Sequence, residues 1–330
     1  MQINHPSTAP QHRTAPREGK LDNRDLLTGR EGDRRNFRLA LGFAETDWLT
    51  PRHRHNFDQI RFPLEGEFHY AKDKILPAGW VGYFPEGVHY GPQTRKQGLY
   101  MLLCQFGGAT GSGFLSERQY IEGQEALARK GTLAKGHFTY VGEDGKEHRQ
   151  DAFEAMYEQA MGRKPIYPEP RYNDIVTMNP ASFVWVEDAK HPGVAHKLLG
   201  TCTERRTTIS FVRLDAGATV TVGECAGPDL LFVSKGEVQC GESKCPLHTA
   251  IGFDAKEGPA TIKELQPSEI FRMQLEVSGA PIDEAERVEL ARPACGTEAG
   301  RSGPATGLEH RSISASATNC VRARHSRYRT

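Results

Sequence analysis

The segment TPRHRHNFDQIRFPLEGEFHY, residues Thr50–Tyr70, decides the fold prediction because it places titratable side chains within a strand-like pattern. Successive side chains of a β-strand point to opposite faces, so His53 and His55 point the same way. Two imidazoles on one face, about 6–7 Å apart along the strand, can reach one cation. Gln59 follows after three residues and Gly66 after six more. The spacing therefore predicts a strand that carries a candidate ligand-binding face.

A second segment continues this pattern from Gly79 to His89, with the sequence GWVGYFPEGVH. Pro85 and Gly87 are typical of a turn, because proline fixes φ and glycine tolerates positive φ. That turn would deliver His89 onto a new strand. The two segments together predict a cluster of histidines brought together by a β-fold.

The wider pattern predicts an all-β protein. Short segments rich in β-branched and aromatic residues are separated by Gly, Pro and Asp, and they recur about every 8–12 residues. Regular short strands of this kind are typical of β-sandwiches and β-barrels. The pattern occurs twice, which indicates an internal duplication.

The duplication divides the chain into five parts. We expect an N-terminal arm at 1–36, a metal-binding barrel at 37–110, and a helical interval with a proline-rich linker at 111–190. A second barrel would span 191–278. The tail at 279–330 is rich in Gly, Ser, Ala and Arg, and we expect it to be disordered because it cannot bury enough apolar surface.

The motifs H-x-H-x3-Q-x6-G and G-x5-P-x-G-x-H resemble the two motifs of the cupins, over residues 37–107. Cupins are double-stranded β-helix, or jelly-roll, barrels whose lumen holds a divalent metal. The resemblance implies that His53, His55, Gln59 and His89 are the metal ligands. It also implies the fold class, two cupin barrels with a small helical interval between them.

The second half of the chain resembles a degenerate copy of the same barrel. Gly217 is followed by Gly223–Cys225 where the histidine pair would stand, then by Asp229 at the acidic position and by Gly236. The resemblance therefore implies a bicupin in which the first barrel holds the metal. The second copy would serve packing or an interface.

Three positions depart from the cupin pattern. Glutamine stands at position 59 where the family has an acidic ligand, and Asp47 stands where a glycine is expected. The second motif is one residue shorter than usual before His89.

The ligand types favour an open transition-metal site. Imidazole suits Fe, Zn, Cu or Ni, whereas a site poor in carboxylates disfavours Mg and Ca. Neutral ligands leave the charge of the cation uncompensated, so an anionic compound is expected beside it, with open positions for O₂. Arg61 follows Gln59 by two residues and would anchor a substrate carboxylate.

These inferences lead to one prediction with two alternatives. The prediction is a non-haem Fe(II) dioxygenase, a metal-dependent oxidoreductase that acts on a small aromatic or carboxylated compound. The string HRHNFDQIRF, His53–Phe62, is also similar to the first-motif region of gentisate-type ring-cleaving dioxygenases. One alternative is an isomerase, lyase or hydrolase that uses Zn, Mn or Ni. The other is a non-catalytic cupin that captures a small ligand.

Simpler structural explanations exist for the same residues. His53 and His55 alternate with Arg52 and Arg54, which is also typical of a solvated basic edge. Arg61 could equally lie with its stem along the barrel rim. The match of both motifs favours the metal site over the basic edge, whereas the two roles of Arg61 remain open.

Composition limits the partners. Lys+Arg and Asp+Glu number 42 each, so the formal net charge is zero, and nucleic acid is not an expected partner. Membrane spans and a secretory signal are not expected, and reduced cysteines favour a cytoplasmic location, with Cys240 and Cys245 at the ends of a hairpin. The expected partners are a small-molecule substrate and O₂, and exposed sheet edges would allow a homodimer.

Overall fold

The computed structural model describes residues 1–13, 20–33, 35–108, 110, 114–202 and 206–275. The tail predicted to be disordered, 279–330, lies outside the described residues. Strands dominate the described part of the chain, which confirms the predicted all-β class.

The first part of the chain contains β1 (Gln2–Asn4), β2 (Gln11–Arg13), β3 (Leu21–Thr28), β4 (Phe37–Ala44), β5 (Trp48–Thr50), β6 (Phe57–Glu65), β7 (Glu67–Ala71), β8 (Lys74–Pro77), β9 (Val81–Phe84), β10 (Gln93–Arg95) and β11 (Tyr100–Gly107). The middle contains α1 (Glu117–Ala128), β12 (Thr132–Ala134), β13 (His137–Val141), β14 (Glu147–Asp151), α2 (Ala152–Met161), β15 (Val176–Met178), a 3₁₀ turn (Pro180–Ser182) and β16 (Val186–Glu187). The last part contains β17 (Val194–Cys202), β18 (Thr207–Leu214), β19 (Thr219–Val222), β20 (Asp229–Cys240), β21 (Ser243–Cys245), β22 (Ala250–Phe253) and β23 (Ala260–Leu275).

Two sheets enclose what we call the first barrel. One has seven strands in the order β15-β9-β6-β11-β4-β3-β2, and the other has four in the order β5-β10-β7-β8. A nine-stranded sheet, β1-β22-β20-β23-β18-β17-β16 with β19 on β23 and β21 on β20, forms the second barrel. A small sheet, β12-β13-β14, lies beside the helices in the chain.

Strand β6 contributes side chains both to the interior of the first barrel and to the layer between the barrels, because it is buried on both faces. One face carries Gln59 and Arg61 into the first barrel. The other carries Ile60 and Phe62 into an apolar layer between the barrels, where the ring of Phe62 lies 4.9 Å from that of Phe271 on β23. Strands covered on both faces have few positions open to solvent, which fixes their register.

The N-terminal residues are part of the sheets, which corrects the expectation of an arm at 1–36. Strand β1 pairs with β22 of the second barrel, and β2 and β3 extend the seven-stranded sheet. Leu26 and Leu27 on β3 are buried in the layer between the barrels. The polar composition concealed these strands because backbone pairing at a sheet edge needs no apolar periodicity.

The interval 111–190 contains both helices and strands. Helix α1 follows a capping box formed by Ser116 and Gln119. Helix α2 is capped by Asp151 at its N-terminus and by Gly162 at its C-terminus. The β12-β13-β14 sheet lies between the two helices in the chain and was not predicted. Neither helix in the described chain has the length and apolar character needed to cross a membrane.

The hairpin predicted at Cys240 and Cys245 is confirmed. The two cysteines end β20 and β21, which pair antiparallel, and both side chains are buried in the apolar interior of the second barrel. Both are free thiols.

Replacing Phe271 with alanine should destabilise the whole molecule, because its buried ring belongs to the layer that joins both barrels. We expect the free energy of unfolding to fall by about 3–5 kcal/mol in denaturant titrations. The matched control is Phe43→Ala, which removes an exposed ring and should lower the free energy of unfolding by only about 0.5 kcal/mol. Equal losses in the two variants would contradict a shared core.

Candidate functional site

A cavity of about 110 Å³ lies within the first barrel. Phe114 and Leu115, with Phe153 of α2 and Tyr120 of α1, contribute to its lining. Its charged and imidazole-bearing lining residues are Arg38, His53, His55, Arg61, Arg95 and Glu117. Among the described residues that line it, three guanidinium groups therefore face one carboxylate.

His53 and His55 lie just before β6, and their ring centroids are 4.9 Å apart. An isolated β-bridge to Tyr90 fixes the register of His53. The Nδ1 of His53 donates a 2.7 Å hydrogen bond to the carbonyl oxygen of Pro51, so Nε2 carries the lone pair when the ring is neutral. The ring of His55 stacks on Phe57 at 4.4 Å. The structure thus brings these two predicted site residues together.

Gln59 and Arg61 follow on the inner face of β6. The Nε2 of Gln59 donates to the phenol oxygen of Tyr90 at 2.6 Å, and its Oε1 accepts from Nη2 of Arg61 at 2.9 Å. The guanidinium carbon of Arg61 lies 4.7 Å from the ring centroids of both Phe68 and Phe84. Aromatic faces attract cations, so Arg61 is held inside the barrel and not at its rim.

His89 does not join this cluster. Its side chain is exposed, while its neighbour Tyr90 is buried and lies 4.7 Å from His53, centroid to centroid. Because Tyr90 pairs with His53, the residue before it points to the opposite face, next to Arg52 and Arg54. Partial burial and those two positive charges lower the pKa of His89. The expectation of three converging imidazoles is corrected accordingly: two converge, and Tyr90 takes the inward position.

The donor set does not fit the three-histidine metal centre implied by the cupin motifs. Within the described residues, no group of three or more His, Cys, Asp or Glu side chains is arranged to hold a metal ion. The Oε1 of Gln59, the atom that would bind a metal, already accepts a hydrogen bond from Arg61. A permanent cation at that distance opposes a second one. His53 and His55 are the residues left that could hold a metal.

The lining also includes polar residues that were not predicted, among them Gln93, Arg95 and Arg38. Gln93 and Arg95 occupy alternate positions of β10, a strand of three residues that is too short for a clear periodic signal. Arg38 on β4 is bound by Asp25 at 2.7 Å and by Glu117 at 3.3 Å. The alternation Gln-Thr-Arg is the one local signal that could have indicated β10.

Comparison with known proteins gives structural neighbours only. No family model matches the chain. No curated protein matches it. A candidate dioxygenase from Nostoc punctiforme PCC 73102 superposes with a TM-score of 0.55 at 10% identity, over 85% of this chain and 84% of that one. Bacillus subtilis oxalate decarboxylase, studied for its Mn(II) centres, superposes with a TM-score of 0.51 at 11% identity, over 85% and 78%.

Both neighbours have the cupin fold in two copies. The chain has a bicupin fold. The suspected resemblance is thereby confirmed for the fold, and at these identities it extends no further.

The second barrel of this bicupin is filled differently. Its interior is an apolar cluster that includes Val212, Leu231 and Ile270. Asp229, at the position of the acidic motif residue, accepts two hydrogen bonds from Arg272 at 2.8 and 2.6 Å. The charged pair at this motif position is therefore satisfied within the barrel.

A buried acidic network lies behind the site, on the other face of β6 and on β9. Asp58 accepts hydrogen bonds from the amide of Glu86 at 2.7 Å and from the hydroxyl of Tyr83 at 2.9 Å. Arg171 contacts Glu86 at 2.5 Å and Asp58 at 3.4 Å. Burial, and then the charge of Glu86, raise the pKa of Asp58 to about 6. The network ties β6 to the segment that follows α2.

Removal of the Arg171 charge should destabilise the bicupin in a pH-dependent way. We expect Arg171→Met to lower the free energy of unfolding by about 3–5 kcal/mol at pH 8, because two carboxylates stay buried without their cation. Arg171 itself lowers the pKa of Asp58, so its stabilising effect is present above that pKa and is lost as the pH falls. The deficit should therefore shrink at pH 4.

The control for this measurement is Lys72→Met, which removes an exposed positive charge and should leave stability nearly unchanged at both pH values. A deficit in Arg171→Met that grows as the pH falls would contradict the assignment.

Proposed function

We propose that the first barrel binds a small carboxylated compound, held by the guanidinium groups of Arg61 and Arg95. One observation carries the proposal: these two buried cations, from β6 of one sheet and β10 of the other, line a single cavity. Both lie against the ring of Phe68, at 4.7 and 5.4 Å from its centroid. The non-catalytic cupin alternative and the predicted anchoring role of Arg61 are both consistent with this proposal.

The chemistry of the lining supports an anion as the ligand. Glu117, the carboxylate in the lining, is engaged by Arg38. A carboxylate that enters the cavity would accept paired N–H groups from a planar guanidinium, which adds charge-assisted hydrogen bonds in a water-poor site. The imidazole of His55 lies in the same lining and can donate a further hydrogen bond.

The size of the cavity narrows the ligand class. The cavity measures about 110 Å³. An apolar cavity that holds benzene in another protein measures about 150 Å³. The volume therefore favours a compact aliphatic acid over an aromatic one.

Substitution of either arginine should weaken the binding of small carboxylates. We expect Arg61→Gln and Arg95→Gln each to weaken binding about 10-fold to 100-fold in calorimetric titrations with a panel of acids of two to four carbons. Arg61→Lys keeps the charge but loses the planar fork, so an intermediate loss is expected. The two arginines lie on different sheets, so a folding defect in one variant leaves the other informative.

Arg52→Gln is the matched control, because Arg52 lies in the same segment as His53 but is exposed on the outer face. It should bind the acids as the wild-type protein does. Equal weakening in Arg52→Gln and Arg61→Gln would mean that net charge, and not the cavity, attracts the anion.

A metal-dependent bicupin enzyme is the second candidate, with Fe(II) dioxygenase chemistry foremost and Zn- or Mn-dependent isomerase, lyase or hydrolase chemistry as further possibilities. It is favoured by the contact between His53 and His55 and by the Nε2 atom that His53 leaves for a ligand. The neighbours named above include a candidate dioxygenase and a decarboxylase with Mn(II) centres. A bound metal would supply Lewis acidity or O₂ activation. Arg61 would then hold the substrate carboxylate.

Metal analysis separates the two candidates. If the protein is a metal-dependent enzyme, it should contain a stoichiometric divalent metal when purified without a histidine tag. His53→Ala and His55→Ala should each lose this metal. The wild-type protein should also take up O₂ with small acids in an oxygen electrode. His89→Ala is the control, since His89 is exposed and should not alter metal content. Metal content that is unchanged in all three variants would rule out a centre at the histidine pair.

A further inference from the structure

Gln93 is a buried amide that the fold itself does not satisfy. Its side chain is 0% exposed and lines the cavity of the first barrel. In the described part of the chain, neither its Nε2 nor its Oε1 has a hydrogen-bond partner. A buried amide that makes no hydrogen bonds destabilises the folded state, because its interactions with water are lost and not replaced. Such a residue is retained in a ligand site when the ligand supplies the missing partners.

Gln59 in the same barrel provides the contrast. It is 1% exposed, yet its Nε2 donates to Tyr90 and its Oε1 accepts from Arg61. The two glutamines have the same side chain and similar burial, and they differ in whether the protein satisfies the amide. This barrel therefore can satisfy a buried glutamine internally, and at Gln93 it does not.

The position of Gln93 defines what it can contact. It pairs in register with Thr50 of β5, and it precedes Arg95 by two residues on the same face of β10. An acid held by Arg95 would present its next atoms to the Gln93 amide, because alternate residues of a strand lie about 6–7 Å apart. A carboxamide offers a donor NH₂ group and an acceptor oxygen side by side in a single plane.

We propose that Gln93 is a specificity-determining residue whose amide recognises a group that both donates and accepts hydrogen bonds, one to three atoms from the carboxylate of the ligand. The ligand is then a compact hydroxy acid or acid amide and not a plain alkanoic acid. This inference rests on the proposed function, because it requires the carboxylate to lie at Arg61 and Arg95.

The test uses pairs of acids that match in shape and differ in the polar group. Lactate is compared with isobutyrate, and malonamate with isovalerate, by calorimetric titration of the full chain. We expect the wild-type protein to prefer the polar member of at least one pair by about 10-fold, because a site built for a polar group rejects its apolar analogue. Gln93→Met should reduce that preference to about one.

A second measurement does not depend on the ligand. Without any acid present, Gln93→Met should raise the melting temperature by roughly 2–4 °C, because it removes an unsatisfied amide from the interior. Gln59→Met is the matched control and should lower the melting temperature, since it leaves the hydroxyl of Tyr90 and the guanidinium of Arg61 without that amide.

The outcomes distinguish failure of the inference from failure of the proposed function. If the acids bind and Arg61→Gln weakens binding as expected, but Gln93→Met keeps the preference or lowers the melting temperature, the inference is overturned and the proposed function stands. In that case solvent, and not the ligand, satisfies the amide. If no acid binds the wild-type protein, the proposed function fails and the ligand class argued from it fails with it.

Discussion

The positive charge of Arg61 inside a β-barrel is the constraint around which the site is arranged. Moving a cation from water into a protein interior costs several kcal/mol unless the surroundings compensate. Here the compensation comes from the amide oxygen of Gln59 and from the faces of Phe68 and Phe84. The hydroxyl oxygen of Tyr90 accepts a hydrogen bond from the amide N–H of Gln59 and fixes the orientation of that amide. Tyr90 points inward where a third imidazole was expected, and it therefore supports a guanidinium and not a metal.

Part of this site follows from local sequence alone. The inward positions of His53, His55 and Arg61 depend only on the two-residue period of an extended chain. The same two-residue period explains the outward position of His89. The second motif is one residue shorter before its histidine, and a one-residue change in register moves every side chain to the other face. The shortening was visible in the sequence, and its consequence is that Tyr90 points inward.

Other parts of the fold and the site depend on pairing between distant segments. Arg95 and Gln93 enter the cavity because β10 pairs with both β5 and β7, and a three-residue strand is too short for a clear periodic signal. Strand β1 could not be predicted either, since Gln2 pairs with Gly252 at the opposite end of the described chain. The two barrels and the helical interval, in contrast, were predicted, because repeated apolar segments are local features.

The comparison of the two barrels indicates why the first one retains a cavity. In the second barrel, the guanidinium of Arg272 is bound by Asp229 in the same interior, and apolar side chains fill the remaining space. Among the described residues that line the first barrel's cavity are three guanidinium groups and the carboxylate of Glu117, which contacts Arg38. A closed apolar core cannot form around such a lining, since burial of a charge needs polar partners. The second barrel thus neutralises its buried guanidinium with a carboxylate, whereas the first barrel surrounds Arg61 with an amide oxygen and aromatic faces.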